Sequence, residues 1–487
     1  VKQAVERSRG KTFGPQWCAT RDLASGLAYL DLQPTPGQND NCCGIQEDSV
    51  DIREARQSIG RALGHRNFRL FFFGQSISLI GTWMQQTAMI WLVYRLSNSP
   101  FLLGLVGFAS QIPVFVVSPV AGVLTDRWNR HRTVMIAQTA AMLHGIALTV
   151  LTMMGWITVW QIIALAVVLG IISGFDMPSR QAFLIDMVDD REHLGNAIAL
   201  NSSMFNGARL VGPALAGLVI AWHGEWMCFM INSVSYVAVL IALAAMRLRP
   251  VKRAVPKYGI VEGMAEGFRY AIHSEAIRTI LALVALVSLV CMPLMVLLPV
   301  IAKDILHGGP DTLGILTAST GFGATIGAIM LAMKKSVLGM GKVVARVTTL
   351  LGVAMIGVAI SNFMLASLVF LTLTGFATMV EMAASNTILQ TVVEDDKRGR
   401  IMSLYTMAFM GMAPIGSLLA GGLASTIGTP WTLVASGLVC LCGSAAFALR
   451  LPKLRETVRP IYIEAGILPE VTLAIERSEE LTTPPED

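Results

Sequence analysis

Apolar residues in this chain are gathered into runs much longer than the helix of a soluble core. From residue 68 onward twelve can be delimited, at 68–94, 101–124, 133–155, 157–181, 195–222, 226–247, 277–302, 312–333, 342–361, 364–389, 399–426 and 429–449. A helix crossing the hydrocarbon core of a bilayer needs about 20 mainly apolar residues. It must also satisfy its own backbone N–H and C=O groups, because no water is there to do so. The pattern predicts an all-α polytopic membrane protein with twelve transmembrane helices.

Polar stretches divide the runs into larger blocks. Residues 1–64 carry Pro34, Pro36 and Gly37 beside Asn39, Asp40 and Asn41 and lack the apolar centre of a signal peptide. They read as a poorly ordered cytoplasmic extension, or as sequence upstream of the natural start. Residues 65–247 form a first six-helix half and 277–450 a second. The connection between them, 248–276, is the longest internal one. In it Ile260, Met264, Phe268 and Ile272 recur every four residues with Glu262, Glu266 and Arg269 between them, the spacing of an amphipathic helix lying on a membrane surface. Residues 451–487 read as a polar tail on the same side.

The short links alternate in charge. Those after the odd-numbered runs carry only Arg95 and Lys303 as Lys or Arg, whereas Arg127, Arg130, Arg132, Arg191, Arg247, Arg249, Lys334, Lys335, Lys397, Arg398, Arg400, Arg450 and Lys453 lie on the other side. Positive charge favours the cytoplasmic face, so both termini are expected in the cytoplasm and the protein in a bacterial inner membrane. Trp156, Trp160, Trp222, Trp226 and Trp431 fall beside the opposite links, at a depth that indole rings favour.

Composition agrees and narrows the function. Of 487 residues 54% are hydrophobic and 14% charged, with a mean hydropathy of +0.61, too little polar surface for a soluble globule. The formal charge of +5 is scattered over loops, so it marks topology and not nucleic-acid binding. The seven cysteines, Cys18, Cys42, Cys43, Cys228, Cys291, Cys440 and Cys442, form no paired C-x-x-C pattern that would suggest a metal site. No phosphate-binding G-x-x-x-x-G-K-[ST] loop, H-E-x-x-H or nucleophile elbow occurs, which disfavours an ATP-driven pump and a membrane enzyme.

The chain also repeats itself. Shifted by 204 residues, 195–217 pairs with 399–421 without a gap, matching Gly195 to Gly399, Gly207 to Gly411, Gly212 to Gly416 and Gly217 to Gly421. A shift of 205 pairs Leu184 with Leu389, Asp190 with Asp395 and Asp176 with Glu381. The fifth helix is thus a copy of the eleventh and the fourth of the tenth. Two parallel halves joined by a linker suit alternating access around a central site.

Two motifs then bear on mechanism. Between the second and third runs lies Gly122-Val-Leu-Thr-Asp126-Arg127-Trp-Asn129-Arg130-His131-Arg132. It resembles the signature loop of the major facilitator superfamily, with Asn129 in place of the turn glycine, a residue that tolerates a left-handed backbone. The resemblance implies the major facilitator fold of two pseudo-symmetric six-helix halves. It also implies a cytoplasmic latch built from Gly122, Asp126, Arg127, Asn129, Arg130 and Arg132, and the equivalent Lys334-to-Lys342 segment has lost the carboxylate. In the fifth run, Ala208-x-x-x-Gly212-Pro213-x-x-Ala216-Gly217 resembles the superfamily's exporter signature, which implies proton-coupled efflux. The copy in the eleventh run keeps Gly416, Ala420 and Gly421 but places its proline at Pro414. Met177-Pro178-Ser179-Arg180, Asn196 and the Phe205-Asn206-x-Ala208-Arg209 stretch resemble the subgroup of the enterobactin exporter and macrolide efflux pumps.

Charged groups within spans are costly unless paired or hydrated. Asp176 and Arg180 stand one turn apart on the fourth helix, Arg209 lies near the middle of the fifth, and Glu381 is the symmetry mate of Asp176. A proton-driven exporter needs a carboxyl whose proton affinity alternates between burial and pairing with a cation. Asp176 or Glu381 is expected to carry the proton, with Arg180 and Arg209 supplying the opposing charge; a permanent Asp176–Arg180 ion pair is the structural alternative. Gln75, Gln86, Gln111, Asn201 and Asn206 are candidates to line a polar cavity, while His144 is weak evidence of a relay. The sequence thus predicts a secondary active exporter of a bulky organic molecule, a siderophore or an antibiotic. It would be driven by protons, bind no cofactor, metal or nucleic acid, sit among membrane lipids and work as a monomer. An uptake symporter and a lipid-moving or sensor protein are the alternatives on the same fold.

Overall fold

The computed structural model describes residues 61–188, 191–247, 260–334 and 336–464, all of them within one compact unit. The expectations for residues 1–60, Asp190, 248–259, Lys335 and 465–487 lie outside the described residues. Among those described there is no strand. A 3-10 turn, Ala62–Gly64, leads into α1 (Arg66–Ser97), followed by α2 (Pro100–Arg127), α3 (Arg130–Met153), α4 (Val159–Asp186), α5 (Arg191–His223) and α6 (Glu225–Ala244). The short α7 (Ile260–His273) precedes α8 (Glu275–Val300), α9 (Pro310–Ala332), α10 (Met340–Ile360), α11 (Met364–Val392), α12 (Asp395–Ile427) and α13 (Thr429–Glu464).

Eleven of these helices are long and apolar enough to cross a membrane. The remaining long one, α1, spans 32 residues and belongs to the same bundle, packed on α5 and α6. Its hydropathy is diluted by Gln75, Gln85 and Gln86, which it turns inward. Twelve bundle helices and one short connecting helix result. Two edges differ from the hydropathy pattern. Residues 61–64 are part of the fold, because Ala62 N donates to Asn196 Oδ1 at 3.0 Å. Helix α13 continues to Glu464, since Leu454 and Val458 bury themselves on one face beneath a run of otherwise polar residues.

Local chemistry sets the helix ends. Ser99 Oγ accepts from Leu102 N with Pro100 in the first turn, and Thr158 and Gln161 form a reciprocal capping box. The tight turns between α5 and α6 and between α12 and α13 each hinge on a glycine, Gly224 and Gly428, both at φ +85°, a conformation that side chains disfavour.

Helix pairing repeats across the molecule. In the first half α1 packs on α5 and α6, α3 on α4 and α6, and α2 on α4; in the second, α8 packs on α12 and α13, α10 on α11 and α13, and α9 on α11. Position by position the copies agree. Gly170 of α4 sits against the Ser110 carbonyl of α2, and Gly375 of α11 sits against the Thr320 carbonyl of α9.

The halves meet along two seams, α2 with α12 and α5 with α9, and glycine makes both possible. A Cβ built on Gly217 would lie 2.7 Å from Pro310 O and 3.1 Å from Gly314 Cα. One built on Gly421 would lie 2.8 Å from Pro100 O and 2.8 Å from Gly104 Cα. These are the same contact twice, related by the repeat. Small residues let membrane helices approach backbone to backbone, where packing and not the hydrophobic effect drives association.

The seams close one end of the bundle, and the polar ties of that end cluster there. Arg95 Nε donates to Glu225 Oε1 at 2.7 Å and Arg95 Nη2 to Glu225 Oε2 at 3.2 Å. Lys303 Nζ donates to Asn98 Oδ1 at 2.6 Å, and the Tyr94 hydroxyl donates to Asp304 across the two halves. Trp156, Trp160, Trp222 and Trp431 stand exposed at this end, as expected of an interfacial belt. At the opposite end α7 packs on α8 and α12, with Glu266 Oε1 2.7 Å from Arg400 Nη1 and with Phe268 and Ile272 exposed.

Because the atoms a new Cβ would strike are backbone, Gly217→Ala and Gly421→Ala should each cost about 1–3 kcal/mol by overpacking. Gly207→Ala and Gly422→Ala, which meet nothing within 4 Å, should leave stability unchanged. Thermal unfolding of the four purified variants in detergent checks this; equal melting temperatures would show that the seams are not tight.

Candidate substrate cavity and charge sites

Beneath the seams lies a cavity of about 380 Å³. Every helix of the first half contributes to it, and Met410 of α12 is the contribution of the second half. Its polar lining includes Gln75, Gln86, Gln111, Gln138, Asp176 and Arg180; aromatic surface comes from Trp83, Phe115, Phe205 and Tyr236. Trp83 and Phe205 meet edge to face with centroids 5.8 Å apart. Mixed aromatic and amide walls suit an organic molecule with both apolar surface and hydrogen-bonding groups.

The polar groups are organised rather than scattered. Gln138 Nε2 donates to Asp176 Oδ1 at 2.9 Å, and Arg180 Nη2 stands 3.4 Å from Asp176 Oδ2. The ion pair therefore sits within the cavity wall, one helical turn in length, with Gln138 of α3 fixing the carboxylate from the side. Farther along, Asn232 Nδ2 donates to Gln85 Oε1 at 2.8 Å, and Ser235 Oγ donates to Asn232 O at 2.7 Å. Gln75 Oε1, Ser78 Oγ and Gln138 Oε1 are buried without a protein partner among the described residues.

Two of the expected lining residues are elsewhere. Asn201 and Asn206 do not line this cavity; Asn206 Nδ2 donates back to Ser202 O of its own helix at 2.9 Å. An amide can turn back onto the carbonyl four residues earlier in its own helix, and a helix-face count from sequence cannot exclude it. Tyr236, by contrast, escaped notice because it lies in an apolar run with no neighbouring motif. His144 Nε2 lies 3.1 Å from Leu165 O, in the packing of α3 on α4.

The other charges stand apart. Arg209 places its guanidinium over the Trp83 ring, 5.9 Å from the centroid, a favourable cation–π arrangement; it makes no ion pair among the described residues. Glu381 of α11 is wholly buried. Ser385 Oγ donates to its Oε1 at 3.1 Å, while Oε2 has no partner among the described residues. One turn before it on α11, Thr378 Oγ1 lies 3.1 Å from Cys291 Sγ of α8. Asp176 and Glu381 are symmetry mates in unlike surroundings: one is paired, the other is enclosed. No group of His, Cys, Asp and Glu among the described residues is arranged to hold a metal ion.

Residues 61–475 match the transmembrane secretion effector family of the major facilitator superfamily. The chain belongs to that family. It is 27% identical over 389 residues to the staphyloferrin A transporter of Staphylococcus aureus, covering 79% of this chain and 96% of that protein. The multidrug efflux pump Tap of Mycolicibacterium fortuitum is likewise 27% identical, over 80% of this chain and 96% of its own. Macrolide efflux protein A of Streptococcus pyogenes is 24% identical over 78% and 95%. Among solved structures, a bacterial homologue of the lysosomal transporter Spinster, inward-facing and unoccupied, superposes with a TM-score of 0.62 at 13% identity, over 82% of this chain and 98% of that one. That likeness concerns the fold.

As a major facilitator protein the chain builds its loop motif in an individual way. Asn129 keeps φ −75° and caps α3, its side chain accepting from Arg132 N. It is therefore an extended N-cap and not the left-handed turn that a glycine there would suggest; the side-chain acceptor that favours Asn in turns favours it equally at a cap. Arg130 Nη1 donates to Ala182 O at 2.9 Å and lies 3.3 Å from Asp186 Oδ1 of α4, and His131 Nε2 is 2.9 Å from Leu243 O. Gly122 has open space where a Cβ would be, and Arg132 is exposed. The side chains of Asp126 and Arg127 lie outside what is described. In the exporter motif, Ala208 and Ala216 are buried, Gly212 faces Trp83 Cβ and Ile80 O of α1, and Gly217 and the Pro213 carbonyl face Gly314 of α9. The motif is the surface by which α5 packs both on its own half and on the other.

Asp176 and Arg180 should behave as a coupled pair. Arg180→Gln is expected to destabilise the wild-type background more than the Asp176→Asn background, with a coupling on the order of 0.5–3 kcal/mol. A double-mutant cycle on thermal unfolding measures it; simple additivity would show that the two side chains act independently.

Proposed function

We propose that this chain exports a bulky organic molecule of the siderophore or antibiotic class from the cytoplasm, exchanging it for protons as the halves rock about the central cavity. The observation that carries the reading is the cavity itself: a chamber of amide and aromatic groups, enclosed by the first half and reached by one residue of the second, under two seams that close one end. By the charge asymmetry of the loops the closed end is the outward one, which makes this arrangement the loading state. The similarity to the multidrug efflux pump Tap, to macrolide efflux protein A and to the staphyloferrin A transporter supports export of a drug or siderophore.

For the proton, Glu381 is the better candidate of the two acids. Asp176 already has a cation and an amide donor, which suits a lasting ion pair in the cavity wall. Glu381 is enclosed with one oxygen unpartnered, an arrangement costly for an anion and sensitive to any movement that brings water or a cation to it. Arg209, held over Trp83 on the opposite half, is the cation that such a movement could bring nearer.

Two measurements test these statements. A strain lacking the protein should retain more of its siderophores or antibiotics than its parent, and active uptake with no difference in retention would overturn export. In proteoliposomes, Glu381→Gln should lower proton-driven exchange at least tenfold while leaving substrate binding in place, and Asp176→Asn should chiefly weaken binding. Full proton coupling in both variants would refute the assignment of either acid.

A further inference from the structure

A second hollow, of about 570 Å³, lies at the end of the second half that is away from the seams. Its floor is apolar: Ile280 of α8, Ile388 of α11 and Phe447 and Leu454 of α13 line it. Its rim is cationic, with Lys342 from the first turn of α10 and Arg455 and Arg459 from the last turns of α13, against the single acid Glu456. The turn before α10 places Gly339 at φ +77°, a conformation that side chains disfavour.

Depth decides what such a hollow meets. Leu449, on the opposite face of α13 from the groove residues Leu451 and Leu454, is 82% exposed; in a membrane helix that surface faces acyl chains. On the neighbouring α7, which leads directly into α8, Phe268 and Ile272 are exposed beside the ion-paired Glu266, as expected of a helix lying in the headgroup layer. The exposed apolar residues of α13 and of α7 at this end therefore place the groove near the boundary between hydrocarbon and water. An apolar floor ending in a cationic rim at headgroup depth is complementary to one amphiphile.

We infer that this groove is a binding site for an anionic phospholipid, an acyl chain lying on Ile280, Ile388, Phe447 and Leu454 and the phosphate meeting Lys342 and Arg455. The site is separate from the central cavity and does not depend on what the cavity carries. By bridging α8, α10 and α13 from one face, a bound lipid braces the base of the second half.

The test uses the full chain, purified and delipidated in detergent, with phosphatidylglycerol and phosphatidylcholine as probes and native mass spectrometry as the readout. Phosphatidylglycerol should be retained in preference to phosphatidylcholine. Lys342→Gln with Arg455→Gln, both exposed and so harmless to folding, should weaken it by about fivefold per charge removed, some 25-fold together. Arg66→Gln with Arg69→Gln, exposed at the same end of the first half, removes equal charge and should leave retention unchanged. Equal retention of both lipids, or equal losses in the two double variants, would overturn the proposal. So would a large gain in phosphatidylglycerol binding on truncation after Glu464, because the acidic segment 465–487 would then be the occupant.

Discussion

Two helices in a membrane can touch backbone to backbone only where neither carries a side chain, and four glycines impose that condition on this protein. Gly217 against Gly314 and Gly104 against Gly421 bring α5 to α9 and α2 to α12. No hydrophobic force holds these surfaces together, since lipid is as apolar as leucine; close packing over a short, flat contact does. Such a contact is strong when registered and lost quickly when the helices part. It suits a joint that must hold in one state and release in another.

The rest of the architecture follows from that joint. Within each half, helices are tied by larger side chains and by buried polar bonds such as Asn232 to Gln85 and Thr349 to Ser444 at 2.7 Å. Between halves, the polar ties given by Tyr94 with Asp304 and Lys303 with Asn98 stand beside the glycine seams at the same end. The two cations that break the charge asymmetry of the loops, Arg95 and Lys303, are thus accounted for: each is engaged by a partner and serves the closed end.

Much of this was legible in the sequence. The twelve runs located the helices, and all but the end of the last to within about five residues, because hydrocarbon demands length and apolarity, a constraint written directly into composition. Gly217 and Gly421 could be recognised as copies, but not as partners of Gly314 and Gly104, since a repeat reveals equivalence and not contact. Asn129 was misread because one side chain serves both a left-handed turn and a cap, and only the backbone angle separates the two. Asn201 and Asn206 belong to a helix polar enough to suggest a cavity, yet the facing of a membrane helix depends on neighbours that its own sequence does not name. The buried face of α13 beyond Leu449 went unseen because Arg450, Lys453, Arg455 and Glu456 dominate its hydropathy, while Leu454 and Val458 do its packing.

The pair Asp176 and Glu381 shows what duplication left free to change. Both acids occupy the same place in copied helices, which begin 205 residues apart, so the fold treats them alike. Their neighbours do not. Arg180 one turn on from Asp176, and Gln138 across from it, convert the first acid into part of a wall whose charge is already balanced. At the corresponding place after Glu381 stands Ser385, which offers one hydrogen bond and no charge. A balanced pair changes little in energy when the halves move, because its Coulomb partner travels with it on the same helix. An enclosed lone carboxyl changes a great deal, because its solvation depends on the joint. Under the proposed exchange, coupling to motion would fall to the half that holds the enclosed Glu381, and recognition of a guest to the half that supplies the polar wall of the cavity.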